Sequence, residues 1–416
     1  MQRQLSMHIL IGLVIGATFG VIAQLGVGDT AALTWLIDNI ARPGGQIFLR
    51  LLFMLVLPIV FCALVIGIAE LDLRRLGRLG LHTLVYTLVF SFIAVAIGLL
   101  LVNGLQPGAG LPDGMRAIAS TPFTNSPAPP DATGVALLVA MFPDNPIKAA
   151  ANGDMLGVIL FAIIFGVGLA HTRTPATAQL HSTLTGIYEV SLTLIHGVLK
   201  LAPIGVALLM FTLTAQLGWQ VLAQLLAYVG VVLLGLALQL FGVYSLSLHF
   251  LGRRNPITFF RDVRVAMVTA FATASSSATL PTALAVAETN LRLPPYVARF
   301  VLTAGSAMNQ HGTALFEGVT VLFLAQVFGV ELGLSDQLVI MAICILGGIG
   351  TAGVPAGSLP VIAMILVMFD IPVEGLGLIL GVDRILDMCR TTLNVTGDLV
   401  AAVYIARLED TTTTKP

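Results

Sequence analysis

Asp383, Asp387, Arg390, Asn394 and Asp398 recur at gaps of four, three, four and four residues inside an otherwise apolar run. That spacing predicts a single α-helix with all five side chains on one face. Between and after them stand Ile385, Leu386, Leu393, Val395 and the run Leu399-Val-Ala-Ala-Val403. An ionisable group at the centre of a bilayer costs about 2.5–3.5 kcal/mol even on the milder scale. Such a stripe must turn toward a protein interior where something polar or charged binds.

Lipid is the right comparison because 57% of the 416 residues are hydrophobic, 10% are charged, and the mean hydropathy is +0.98. About a quarter of an average soluble chain is charged, so the composition predicts a polytopic membrane protein. The net charge of -1 points to no partner. Cys62, Cys344 and Cys389 lie in apolar stretches without metal-ligand spacing and read as small buried hydrophobes. The first apolar run, from about Leu5, lacks a small-residue cleavage site and reads as a membrane helix rather than a signal peptide.

About 20 apolar residues cross the hydrocarbon core. The stretches that qualify are His8 to Leu25, Ile47 to Ile68, Leu81 to Val102, Met155 to Ala170 with the apolar residues before it, Leu180 to Ala215, and Val221 to Leu251. Arg3, the group Arg74, Arg75 and Arg78, and the group Arg253, Arg254, Arg261 and Arg264 then fall on one side, assigned to the cytoplasm. The loop from Asn103 to Thr133 carries only Arg116 and is expected on the other side; the polar tail Glu409 to Pro416 is expected to be disordered.

Beyond the sixth stretch the pattern changes. Ala272-Thr-Ala-Ser-Ser-Ser-Ala-Thr-Leu-Pro281 breaks one apolar segment, and Gly347-Gly-Ile-Gly-Thr-Ala-Gly-Val-Pro-Ala-Gly-Ser-Leu-Pro360 breaks another. Each is a run of small residues ending in Leu-Pro between short apolar arms, as a re-entrant helical hairpin reads. Non-helical backbone at membrane depth survives only inside protein or beside a wet cavity. Between the hairpins, Asn309-Gln-His-Gly-Thr313 interrupts a third segment. Paired interrupted segments point to the binding site of a secondary transporter.

Arg390 offers a planar fork of donors suited to a carboxylate, and Asp387, one turn earlier, suits an ammonium group. Together they match a zwitterion with an extra acidic side chain; the bland alternative is that the two simply pair. Asp398 follows Gly397 and forms, with nearby carbonyls, a hard-oxygen site for a small cation; the alternative is a protonated, hydrogen-bonded carboxyl. The Ser275-Ser276-Ser277 tip supplies hydroxyls and backbone amides. His311 is a candidate proton carrier, against the reading of a satisfied buried histidine. Glu317 receives no role.

Taken together, the Ser-Ser-Ser hairpin, the Asn-x-x-Gly-Thr break, the Gly-Thr-Ala-Gly-Val-Pro tip and the Asp-x-x-Arg-Thr-x-x-Asn-Val-Thr-Gly-Asp helix resemble the glutamate transporter family, the dicarboxylate/amino acid:cation symporters, over nearly the whole chain. The resemblance implies an all-α membrane protein of about eight transmembrane helices plus two re-entrant hairpins, built on inverted repeats. It implies scaffold helices over 1–78, a transport-domain helix over 79–103, an extracytoplasmic loop with scaffold and trimerisation helices over 104–217, and a transport domain over 218–408. The hairpins then lie near 258–292 and 334–370, ahead of the tail at 409–416. A homotrimer, multi-pass in a prokaryotic inner membrane, would move its transport domains like elevators, with the second hairpin as gate.

The same resemblance gives residue roles. Arg390, helped by Thr313, would hold the substrate's side-chain carboxylate, Asp387 its amino group and Asn394 its main-chain carboxylate. Ser276 and Val354 would add backbone contacts from the hairpin tips. Asp398 with the carbonyls of Gly305, Asn309 and Asn394 is similar to one sodium site, and the backbone of Gly348, Ile349 and Thr351 to a second. Relatives coupled to sodium usually read Asn-Met-Asp-Gly-Thr at the break, where this chain has Gln310 and His311. The partners in the third span align to Thr87, Phe90 and Ser91, so two of three expected oxygen donors have changed. Imidazole and phenyl rings cannot replace a carboxylate and a hydroxyl around a hard cation, so the third sodium site is expected to be absent and the second is in doubt. Arginines that relatives carry before the serine triplet or after the first substrate aspartate are Ala274 and Met388 here.

The leading expectation is an acidic amino acid symporter, for L-aspartate or L-glutamate, coupled to sodium ions, protons or both. It needs no organic cofactor and no nucleic acid, has lipid around it, and is not an enzyme. A C4-dicarboxylate carrier of the same fold is the alternative, against which Asp387 argues because a dicarboxylate has no amine. An intramembrane protease is disfavoured: Val395-Thr-Gly-Asp398 lacks the first glycine of a Gly-x-Gly-Asp arrangement, and nothing joins Ser276 to His311. A passive channel is disfavoured by two occluding hairpins.

Overall fold

A computed structural model describes residues 2–27, 30–70, 77–110, 142–152, 155–172, 174–350 and 358–413, and among them every regular element is helical. The N-terminal helices are α1 (Gln2–Val27), α2 (Arg42–Phe53), α3 (Val56–Glu70) and α4 (Gly77–Leu105). Next come α5 (Met155–His171), α6 (Pro175–Leu199), α7 (Ala202–Leu217) and α8 (Gln220–Ala237), the last prolonged by π-helical and α turns to Gly252. The C-terminal part holds α9 (Pro256–Thr273), α10 (Ser276–Thr289), α11 (Pro295–Met308), α12 (His311–Phe328), α13 (Leu334–Gly350), α14 (Leu359–Met368) and α15 (Leu376–Thr413).

Local chemistry sets the boundaries. Asn255 caps α9, its Oδ1 accepting from the Ile257 and Thr258 amides, and Pro256 occupies the first turn, where a missing N–H is harmless. Ala274 ends α9 in the left-handed region at φ +47°. Ser275 then starts α10, its Oγ accepting from the Ala278 amide at 3.2 Å. A two-residue turn thus reverses the chain, and α9 packs back against α10. The pair lies where the first hairpin is expected. The arms of the second, α13 and α14, also touch; the tip joining them lies outside the described residues.

Among the described residues, five helical stretches are long and apolar enough to cross a membrane: 7–26, 31–69, 79–105, 220–252 and 295–328. The bent pair α6 and α7, at 57°, makes a sixth if taken as one span. The last stretch has 94% of its most apolar window buried inside the protein, in keeping with α12, where every residue except Gln326 is buried. Two packing groups stand out. Helix α1 lies along α7, and α3 along α5 and α6, while α4, α8 and α12 pack together beside α15. Lipid-compatible surface is abundant, with Phe19, Leu100, Leu226 and Phe241 among the exposed large hydrophobes.

Candidate functional site

The stripe on α15 is buried as its spacing requires: Asp383, Asp387, Arg390, Asn394 and Asp398 all face protein, whereas Ile385 on the opposite face is 51% exposed. Arg390 is the most enclosed of the charged members, at 1%. Its Nη2 donates to Asp383 Oδ1 at 3.0 Å and to Asp387 Oδ1 at 2.9 Å, and its Nη1 donates to Ser358 Oγ at 2.9 Å. The guanidinium carbon lies 3.8 Å from the centre of the Phe316 ring, a cation–π contact strengthened by the absence of water. Its Nε meets no acceptor among the described residues. The Asp387–Arg390 pair is therefore formed but not self-contained: Asp383, Ser358 and Phe316 share the same guanidinium. Both carboxylates crowd one nitrogen, and a neutral hydroxyl accepts from the other, so the Ser358 hydroxyl on Nη1 is the acceptor that an incoming carboxylate displaces most readily.

Asn394 ties α15 to the break between α11 and α12. Its Oδ1 accepts from the Gly312 amide at 2.8 Å, and its Nδ2 donates to Thr313 Oγ1 at 3.2 Å and to Gln310 Oε1. Thr313 in turn donates to Gln310 Oε1 at 3.1 Å. The structure thus brings Arg390, Asp387, Asn394 and Thr313 to neighbouring turns. Ser276 is buried at the first turn of α10. Val354 and Thr351 lie outside the described residues, as does the side chain of Ile349.

Asp398 meets the same break one turn deeper. Asn309 Nδ2 donates to Asp398 Oδ1 at 2.7 Å, and the buried Asn309 Oδ1 has no donor among the described residues. Gly305 belongs here for a steric reason: a Cβ on it would collide with Asp398 Oδ1. A carboxylate, an orphaned amide oxygen and helix-end carbonyls form a donor set of hard oxygens suited to a small cation. Gly348 reaches the break from the other side, where a Cβ would sit 3.5 Å from Gln310 O. No group of three or more His, Cys, Asp or Glu with metal-holding geometry occurs among the described residues.

The region aligned to a third cation site has a different character. His311 is fully buried, and its Nδ1 shares a 2.7 Å hydrogen bond with the Tyr244 hydroxyl. That hydroxyl sits against Gly397, where a Cβ would strike it. Phe90 stacks on Tyr86 with centroids 4.0 Å apart and lies 6.1 Å from the imidazole. Thr87 and Ser91 are buried alongside. Aromatic rings thus share this region with the Thr87, Ser91 and Tyr244 hydroxyls.

Several participants went unread in the sequence. Ser358, Phe316 and Tyr244 lie far from α15 along the chain, and only folding brings them to it. Arg384 Nη1 lies 3.5 Å from Asp387 Oδ2, one residue off the stripe's spacing. Glu317 is fully buried, neither of its oxygens meeting a donor among the described residues, and a Cβ on Gly347 would lie 3.7 Å from its Oε2.

A model of the sodium:dicarboxylate symporter family matches residues 5–408. The chain is 32% identical to the proton/glutamate-aspartate symporter of Escherichia coli, over 97% of this chain and 93% of the relative. It is equally similar, at 32%, to the proton/sodium-glutamate symport protein of Geobacillus stearothermophilus, over 97% and 94%. A C4-dicarboxylate transport protein of Rhodospirillum rubrum is 32% identical over 88% of this chain and 82% of its own.

Proposed function

Because the chain belongs to the sodium:dicarboxylate symporter family, we propose that it carries an acidic amino acid, L-aspartate or L-glutamate, into the cell by cation-coupled symport. It is a multi-pass protein of the cell membrane and a transporter, not an enzyme. The observation that carries the substrate assignment is Arg390: a buried, permanently charged fork with a displaceable hydroxyl on one nitrogen, one helical turn from Asp387. The fork, helped by Thr313, takes the side-chain carboxylate, Asp387 the ammonium and Asn394 the main-chain carboxylate, with backbone contacts added at Ser276 and at Val354, which lies outside the described residues. Asp387 disfavours a C4-dicarboxylate, which has nothing to offer it.

For coupling, Asp398, Asn309, Asn394 and the Gly305 carbonyl support one sodium site; Gly348 and Ile349, with Thr351 outside the described residues, are where a second would lie. The ring-filled surroundings of His311 support the absence of a third. Protons take over part of the coupling, through His311 or a carboxylate. The two packing groups of helices support a scaffold and an elevator-type transport domain, with about eight spans, two re-entrant hairpins and a homotrimer.

Titration of the purified protein with L-aspartate, with and without sodium, tests the reading, followed by uptake into proteoliposomes under separate sodium and proton gradients. Saturable aspartate binding that succinate competes for poorly is expected. Tight succinate binding without aspartate binding rejects the amino acid; strict dependence on three sodium ions rejects the altered coupling.

A further inference from the structure

Asp387 is shared between two arginines. Its Oδ1 accepts from Arg390 Nη2 at 2.9 Å, and its Oδ2 faces Arg384 Nη1 at 3.5 Å. Asp383 gives its Oδ1 to the same Nη2 of Arg390. The ion-paired network is therefore a chain of four groups, Asp383, Arg390, Asp387 and Arg384, with two negative and two positive charges. Glu317 takes no part in it, since its oxygens meet no donor among the described residues.

This arithmetic bears on an acidic ligand. Were Arg390 the only cation present, two aspartates would overbalance it, and the site would repel a further carboxylate while accepting a neutral zwitterion. Arg384 restores neutrality. It also faces the second oxygen of Asp387 at 3.5 Å, an electrostatic contact without a hydrogen bond among the described residues, and so competes with Arg390 for that oxygen. Carboxylate and guanidinium readily close a two-pronged pair, and such a closure would occupy the nitrogen that now rests on the Ser358 hydroxyl. The Arg384 side chain is 21% exposed and that of Asp387 11%, so the pair lies at the edge of the buried network, where its field is only partly screened.

We propose that Arg384 is a positioning and specificity residue of the substrate site: through Asp387 it sets the charge balance that admits an acidic rather than a neutral amino acid. The inference rests on the acidic amino acid reading given above and names the residue that makes that preference.

Binding of L-aspartate and its neutral near-isostere L-asparagine to the full-length purified protein tests it, by competition against radiolabelled L-aspartate. Arg384→Gln is expected to lower the preference for aspartate over asparagine about tenfold, as removal of one nearby, partly screened charge should. Arg384→Lys, which keeps the charge, should stay within about threefold of the parent. Adding Asp383→Asn to Arg384→Gln returns the network to neutrality and should recover preference. Should Arg384→Gln not assemble, Arg384→Met, which keeps the packing of the stem, gives the same reading. A preference unchanged in the neutral variants, or aspartate and asparagine affinity falling in parallel, overturns the proposal. If the parent protein binds no L-aspartate, the functional reading itself fails; if the parent binds it and only the preference stays fixed, Arg384 alone loses its role.

Discussion

Asn309 donates through Nδ2 to Asp398 Oδ1 at 2.7 Å, and in doing so leaves its own Oδ1 buried with no donor among the described residues. An amide that satisfies a carboxylate yet strands its own oxygen is costly unless something positive completes the set. A small cation bridging Asn309 Oδ1 and the Asp398 carboxylate would do so.

Asp398→Asn removes the only formal charge from that donor set. The sodium concentration needed for half-maximal stimulation of L-aspartate binding should rise by at least about tenfold. A titration of aspartate across a sodium series checks this, and an unaltered sodium dependence rejects Asp398 as a ligand.

Arg390→Gln deletes the fork and leaves Asp383 and Asp387 without their shared partner. Removing one member of a buried charge pair costs about 2–5 kcal/mol in binding, so L-aspartate affinity should fall by about thirtyfold to a few thousandfold. Chromatographic size and thermal unfolding separate this from lost assembly. Undiminished aspartate affinity would sink the substrate assignment.

His311→Asp alone should not create a further sodium site, because Phe90 still presents a ring 6.1 Å from that position. His311→Asp combined with Phe90→Thr restores a carboxylate and a hydroxyl, and the number of sodium ions bound per substrate should then rise. Sodium-22 and aspartate flux ratios measure it. An equal rise in the single variant would show that the ring is no obstacle.

Glu317→Gln keeps size and polarity but cannot exchange a proton. Taking Glu317, buried and without a donor among the described residues, as the carboxylate left open above for the coupled proton, uptake driven by a proton gradient should fall sharply in this variant, while equilibrium L-aspartate binding should stay within about threefold. Proteoliposomes with imposed pH or sodium gradients distinguish the two. Full proton-driven uptake in the variant assigns the proton to another group, with His311 next in line.

The sequence disclosed the α15 face because polar residues at helical spacing in apolar surroundings admit one geometry, and the burial of all five follows from it. The turn at Ala274 and Ser275 was legible for a similar reason: small residues interrupt an apolar run where a helix must reverse. What stayed hidden was pairing between distant segments. Nothing local to Tyr244 announces a bond to His311 from 67 residues away, nor does Ser358 announce its hold on Arg390. Nothing in the sequence around Arg384 gives it a task, and only its 3.5 Å approach to Asp387 in the fold does. The part played by Val354 and Thr351 lies outside the described residues.

Every residue of α12 except Gln326 is buried. A rod enclosed on all flanks has no greasy side on which to glide past one neighbour at a time, so any voyage it makes is taken together with its wrapping. Thr313 is lashed to Asn394, and Gly348 abuts Gln310. Under the elevator motion proposed above, the spacing among these contact points would be preserved in transit, and a passenger gripped by them would travel in an unchanging berth rather than being passed from hand to hand.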